Sequence, residues 1–541
     1  MKKFYSIAAL AALLLTELPT PTYAVEAGDS FKDTESGVQF QVISVGRQTC
    51  KVIKLSGYSA KYTGDIAIPS YVTYDDVEFK VVEIAASAFS SSTCTSISVP
   101  ETVSVIRESA FGSSRKLETL TLSEGLDTIE SRCFYYCSEL PSINIPASVR
   151  SIGSRPFDSC SKLTNITVSE GSTKFQGHDG MLLTIEGDTI LAYGQGLEAT
   201  SFTAPEGVTT IGAYAMQGNT KLTELTLPDG VVETMDYSFD GCTKLTSINL
   251  GNTLEVLGGY TFQKAAISEI TLPESLRVIG GNAFMQTTAL QSIVIPDRVD
   301  SIGSYAIYNN SSLTSVTLGR NLRVMDAQVF GRSDKITEVI SLNPVPPTTT
   351  KTQFSNTALS QATLKVPAGS AEAYEASTGF SGFSSVVEFD LATSLTLDKE
   401  TETMPMGETM RLHATMEPET AYQYADWSSS NEDVATVDNL GYVTAVGDGT
   451  AVITCSTMDG TNLSQECVIN IGDASGIAQR FADSDLQIST VGQTLTVGGN
   501  GQMAVYDISG KVVYAGKAGS LQLARGLYIV RCGNKVAKVI L

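Results

Sequence analysis

One spacing constrains this chain more than any other feature. Phe89, Phe111, Phe134, Phe157, Met216, Phe239, Phe262, Phe284, Ile307 and Phe330 follow one another at steps of 22, 23, 23, 59, 23, 23, 22, 23 and 23 residues. A sustained period of this kind marks an array of stacked structural units. Five residues before each landmark lies an aliphatic slot, filled by Ile84, Ile106, Ile129, Ile152, Ile211, Leu257, Ile279, Ile302 and Met325; near Phe239 the slot holds Thr234 and Met235 slips by one. After the landmark comes a strand pattern such as Leu117-Leu120-Leu122, Leu140-Ile143-Ile145, Leu222-Leu225-Leu227 or Leu290-Ile293-Ile295. Its last two apolar residues alternate as a half-buried strand requires. The strands stop at Pro100, Ser123, Pro146, Ser169, Pro205, Pro228, Gly251, Pro273, Pro296 and Gly319, and proline suits a strand end because it brings no N–H to the ladder. Outside the long step, stop and next landmark are always 11 residues apart. The two 22-residue steps therefore lose their residue near Ser90 to Thr95 and Lys264 to Ile267, and strand register is kept.

One such unit cannot fold alone. About six core side chains at roughly 2 kcal/mol each face ~1–2 kcal/mol of backbone ordering for every residue of the coil. Stacking buries both flat sides of a coil and pairs its strand with neighbouring strands, so a continuous, capped parallel solenoid is expected. At about 4.8 Å per coil it would be a rod of roughly 50 Å.

Val105-Ile106-Arg107-Glu108-Ser109-Ala110-Phe111 and Val278-Ile279-Gly280-Gly281-Asn282-Ala283-Phe284, each followed by Leu-x-x-Leu-x-Leu/Ile-Pro or a close variant, carry a recognisable pattern. It resembles the BspA-type leucine-rich repeat of bacterial surface proteins. The resemblance implies a solenoid over 25–390 with N- and C-terminal caps, and a role in binding host matrix proteins, other cells or surface polymers. The asparagine ladder of commoner leucine-rich repeats is absent, as in this variant. The excess in the 59-residue step falls at 169–205, where Met181 to Ile185 and Thr189 to Tyr193 flank Glu186-Gly187-Asp188 and predict a hairpin pushed out of the coil. Asn343-Pro344-Val345-Pro346-Pro347 breaks the period, and a short helix over Ser370 to Ser377 is expected in the C-terminal cap.

Residues 391–472 change to short strands spaced by turns, which predicts a small β-sandwich. Trp427-Ser428-Ser429-Ser430-Asn431, Val434-Ala435-Thr436-Val437-Asp438 and Gly441-Tyr442-Val443 resemble the bacterial immunoglobulin-like group 2 domain. Trp427 is expected in its core. After a linker at 473–483, Ala504 to Lys511, Gly526 to Arg531 and the terminal Lys538-Val539-Ile540-Leu541 resemble a type IX secretion sorting domain over 484–541. The expected fold class is thus mainly β: a leucine-rich-repeat solenoid, an immunoglobulin-like sandwich and a small C-terminal β-sandwich.

Lys2 and Lys3, the apolar run Ile7 to Leu15 and Thr22-Tyr23-Ala24 have the parts of a secretory signal over 1–24. No later apolar stretch is long enough for a transmembrane span, and no cysteine stands at the cleavage site to carry a lipid. A formal charge of -22 argues against nucleic acid as a partner. Of nine cysteines, Cys137, Cys160 and Cys242 each lie three residues after a landmark and read as small buried side chains. Cys455 and Cys467 flank the turn sequence Asp459-Gly460-Thr461-Asn462 and form the one candidate disulfide.

Catalysis finds little support. The only histidines, His178 and His413, lie in unrelated contexts, and no nucleophile triad, metal motif or phosphate loop is present. No catalytic residue, metal site or cofactor is expected, and the chain is read as a non-enzyme. A hydrolase using Glu186 and Asp188 is the remote alternative. The candidate binding residues are Thr121, Asn144, Thr167, Thr226, Asn249, Thr271 and Thr317, one outward row of the strand face, with Glu118, Glu224 and Glu269 beside it. The same row also suits a merely solubilising β-face. The expected partner is an extracellular protein bound by a monomer at the outer surface of a Gram-negative bacterium. The alternative is glycan capture, for which Tyr135, Tyr136 and Tyr193 would form an aromatic platform.

Overall fold

The computed structural model describes residues 25–471 except 58, 350 and 460, and 488–540 except 492–493, 499–501, 508–510, 525–526 and 533–534. The chain divides into two units, Met1–Glu388 and Phe389–Leu541. The expected signal at 1–24 and the linker at 473–483 lie outside the described residues.

In the first unit the landmark side chains point inward, with Phe89, Phe111, Phe134, Phe239, Phe262, Phe284 and Phe330 fully buried. Each coil places its ring at the same point of the cross-section, so successive rings stack, with centroids 5.4 to 5.7 Å apart. The post-landmark strands pair in parallel at the register the spacing demands, for example Leu120 with Ile97 and Ile143 with Ile166. Along this side, however, the ribbon is not continuous. It divides into separate sheets, and residues 268–272 form no strand where the step has been shortened.

The longer ladder runs on the slot side, which the spacing marked only as apolar. Val105–Ile106, Thr128–Ile129 and Ser151–Ile152 pair in parallel, as do Thr210–Ile211, Glu233–Thr234, Val256–Leu257, Val278–Ile279, Ser301–Ile302 and Val324–Met325. At the irregular coil Thr234 keeps the buried register position and Met235 turns outward.

A third set of bonds joins the landmark turns. Residues two before and two after the landmark adopt positive φ, as at Ser109 (54°) and Ser113 (60°). The alternation aims successive N–H groups along the stack: Ser109 N donates to Ser131 O (3.1 Å), Phe111 N to Cys133 O (2.9 Å) and Ser113 N to Tyr135 O (2.6 Å). Three residues after the landmark a small side chain reaches back to the carbonyl of the preceding landmark. Ser114 donates to Phe89 O (2.7 Å), Cys137 to Phe111 O (3.3 Å), Cys160 to Phe134 O (3.0 Å), Asn310 to Phe284 O (3.1 Å) and Ser333 to Ile307 O (3.2 Å), while Thr287 turns to Phe284 O of its own coil (2.7 Å). This mixed ladder does the work of an asparagine ladder, so Cys137 and Cys160 are donors as well as small buried groups.

The expected hairpin forms between Met181–Thr184 and Thr189–Tyr193 but is not expelled from the coil. Its second strand takes the slot position, with Ile190 paired to Ile211, and Tyr193 N donates to Ala215 O as a landmark would. Tyr193 stands one 23-residue period before Met216, so the long step contains a whole irregular coil. Phe175–His178 adds a third antiparallel strand. Met181 and Leu183 pack into one half of the core and Leu182 into the other, so the strand crosses the solenoid interior.

The ends are closed by antiparallel strands Ser30–Lys32, Gln39–Ser44 and Thr49–Ile53, and by helices Asn356–Gln361 and Ala371–Ala376 with strand Thr363–Pro367.

In the second unit, Thr401–Met404, Ser464–Ile471, Gly449–Thr457 and Ala425–Ser429 form one sheet, and Thr409–Arg411, Tyr442–Ala445 and Ala435–Val437 another. Trp427 is half-buried against their shared core. The candidate disulfide is not formed: Cys455 and Cys467 are buried free thiols. The hairpin register sets Cys455 opposite Gln465 and Cys467 opposite Ile453. Such diagonal positions lie about 7–8 Å apart, beyond the reach of an unstrained disulfide. Further on, Gln502–Asp507, Val512–Lys517, Leu527–Cys532 and Lys535–Ile540 make a sheet beside Ile488–Val491, Thr494–Val497 and Ser520–Gln522.

Candidate binding surfaces

The polar row read from the strands is in register where sheets persist, pairing Asn144 with Thr167 and Thr226 with Asn249. Thr121, Asn144, Thr167, Asn249 and Thr271 are exposed and Thr226 half-buried, with Glu118, Glu224 and Glu269 exposed alongside. Part of its capacity is spent internally: Thr167 Oγ1 donates to Asn144 Oδ1 and Asn144 Nδ2 to Ser169 Oγ, both at 2.9 Å. Thr317 is a correction, since it is buried at 5% exposure. There the row turns apolar, with Val294 on one side and buried Ile340 on the other.

Of the expected aromatic platform, Tyr135 and Tyr136 lie near the surface as an edge-to-face pair 4.3 Å apart, with Arg115 over the Tyr136 ring. Tyr193 is instead buried against Phe202, because it serves as a landmark. Asp188 is held by the hairpin turn, accepting from Thr184 Oγ1 at 2.6 Å, which keeps its carboxyl below the usual range. His178 is more than half exposed beside Asp179. Among the described residues no cluster of His, Cys, Asp and Glu could hold a metal ion.

A second surface lies over the landmark turns. Tyr214, Tyr237 and Tyr260 each stand two residues before a landmark, at φ of 62°, 62° and 59°. That conformation turns the side chain outward, and the coil repeat stacks the rings with centroids 4.8 and 4.2 Å apart. Arg155, two before Phe157, lays its guanidinium 4.8 Å over Tyr214 and bonds Asp158. Burial, followed by the Tyr260 hydroxyl, pushes the Tyr237 pKa up to about 12, and the neighbouring Asp240 carboxylate adds to the shift. One residue after each landmark runs a parallel column, Gln217, Asp240 and Gln263, bound to the tyrosines by turn hydrogen bonds to their carbonyls at 3.2 Å. Gln217 Nε2 donates to Asp240 Oδ2 at 2.8 Å. Asp240 Oδ1 and Gln217 Oε1 are buried and without a donor among the described residues, a situation worth about 1–3 kcal/mol per group until a donor arrives. The reading of strand rows passed over this column, although tyrosine at one offset in three successive units was a visible signal.

With the coil geometry established, comparison with known proteins is decisive for the family. Six copies of the BspA type leucine rich repeat region match over 82–178, 192–284 and 255–378, more than half of the chain. The chain is a BspA-type leucine-rich-repeat protein. Its residues 391–468 match the bacterial Ig-like domain of group 2. This BspA-type protein is 40% identical over 82 residues to one uncharacterised protein of Clostridium acetobutylicum and 37% identical over 95 residues to another, 15% and 17% of its own length. The matched stretches span only 8% and 24% of those relatives. Among solved structures it is similar to the pneumococcal vaccine antigen PcpA, at 19% identity and a TM-score of 0.45, covering 67% of this chain and 99% of that one. A leucine-rich repeat protein of Bacteroides ovatus gives 23% identity and a TM-score of 0.39 over 68% and 83%.

Proposed function

We infer that this BspA-type protein is a non-enzymatic, secreted interaction protein of the bacterial surface that holds an extracellular macromolecule against the outside of its repeat. The observation that carries the reading is the Tyr214–Tyr237–Tyr260 column with its flanking acceptors, which projects large side chains outward from a backbone bonded on several sides. The strand row from Thr121 to Thr271 is the secondary surface. A protein ligand is preferred to a glycan because the ring faces of Tyr214 and Tyr237 are covered by neighbouring rings and by Arg155, leaving mostly edges rather than a flat platform for a sugar. The likeness of 1–24 to a secretory signal and of 484–541 to a sorting domain supports export to the outer surface of a Gram-negative cell. The test is an array of extracellular matrix proteins and glycans probed with the full secreted chain. Retention on matrix proteins that falls when Tyr237 and Tyr260 are changed to Ala is the expected result. Retention on glycans alone, or equal retention by the variant, rejects it.

A further inference from the structure

We propose that the landmark-turn surface captures a basic side chain, an arginine or lysine of a partner protein, at the half-buried acceptor pair Asp240 and Gln217 that runs alongside the tyrosine column. This rests on the preceding reading of the repeat as a macromolecule binder and names the chemistry it selects. The first support is an imbalance. Asp240 Oδ2 is satisfied by Gln217 Nε2, so the atoms left over, Asp240 Oδ1 and Gln217 Oε1, are both acceptors. Exposed Asp236 adds a carboxylate on the same turn, with Oδ1 bound to Gly259 N at 2.7 Å. A ligand that fits must bring donors and positive charge.

The second support is a template within the fold. In the coil of Phe157 the equivalent carboxylate, Asp158, is bonded by Arg155, whose guanidinium also covers a tyrosine of the column. Asp240 holds the same position relative to Phe239 and has a tyrosine where Asp158 has its arginine. The cation must then come from outside, and a protein of charge -22 attracts basic partners.

The experiment titrates the full chain with a tetra-arginine peptide and with its citrulline isostere, which keeps the shape and loses the charge. Asp240→Asn should weaken tetra-arginine binding about tenfold or more, the scale of one charge-assisted hydrogen bond. The control Glu101→Gln with Glu206→Gln, two exposed carboxylates outside both candidate surfaces, should leave it within about twofold. Equal losses in both variants would mean diffuse charge attraction and overturn the proposal, as would tight citrulline binding or no tetra-arginine binding. Circular dichroism verifies that Asp240→Asn folds; Asp240→Glu, which keeps the carboxylate, should retain more tetra-arginine binding than Asp240→Asn, and an equal loss in both also counts against the proposal. If the matrix array is positive while these variants bind normally, only this inference falls.

Discussion

Three residues past each landmark the fold asks for a small donor rather than for sulfur. Cys137 donates to Phe111 O where Ser114 donates to Phe89 O. Cys137→Ser should therefore be nearly neutral, whereas Cys137→Val removes one of the two donors to the Phe111 carbonyl, Ser114 N remaining at 3.1 Å, and should cost ~0.5–1.5 kcal/mol in urea unfolding. Burial pushes the thiols of Cys133, Cys137 and Cys242 from 9.0 up to about 12. The folded state thus keeps protons that the unfolded chain releases. Their contribution is complete below pH 9 and is lost as pH rises towards 12. Denaturant midpoints should fall across that window, and less steeply when the three are replaced by Ser. The same thiols should resist alkylation at pH 8 until the chain is unfolded, which mass spectrometry can follow. Phe262 is flanked by ring neighbours on both sides, so Phe262→Ala should destabilise the repeat by about 3–5 kcal/mol.

The irregular coil shows what an element owes to its neighbours. Glu186-Gly187-Asp188 is a readable turn, and the two strands it joins were legible from their alternation. Their place was not, because the partner of Thr189–Ile190 is Thr210–Ile211, the slot strand of the following coil. The regular slot strands from Val105–Ile106 onward have two residues each, too short for any periodicity to declare them. Close approach fixes the coil in the stack: a Cβ at Gly196 would come within 2.5 Å of the Lys162 carbonyl carbon. Gly196→Ala is expected to loosen this junction and open 169–205 to proteolysis, seen as a new pair of fragments in a limited digest. Fragments identical to those of the parent protein would show that the junction tolerates the displacement.

Along the first unit, coils are also tied by charge at the repeat distance, as in Lys162 with Glu139, Lys221 with Glu198 and Arg323 with Asp300. Each exposed pair contributes only ~0–1 kcal/mol, so integrity depends on the continuous core and on its closed ends. Replacing 342–388 by a short linker would strip Glu338–Ser341 of its outer parallel neighbour Thr363–Pro367, leaving it an edge strand paired only to Ser315–Leu318, and remove Tyr374 and Phe380 from the end of the core. Self-association on size exclusion is the expected outcome, because an open strand edge over an uncovered apolar end recruits another chain. From the amino-acid order alone one could derive the period, the inward landmarks, the strand register and the boundaries where the repeat gives way, since these depend on local spacing and on the need to bury apolar side chains. Only the tertiary structure decided that the longest ladder lies on the slot side, that Tyr193 is a landmark, that Thr317 is covered and that Cys455 misses Cys467. Each of these depends on which residue of a neighbouring strand stands opposite. The tyrosine column belongs to both, because its offset was written in the sequence while its outward direction came from a backbone turn that stacking alone stabilises.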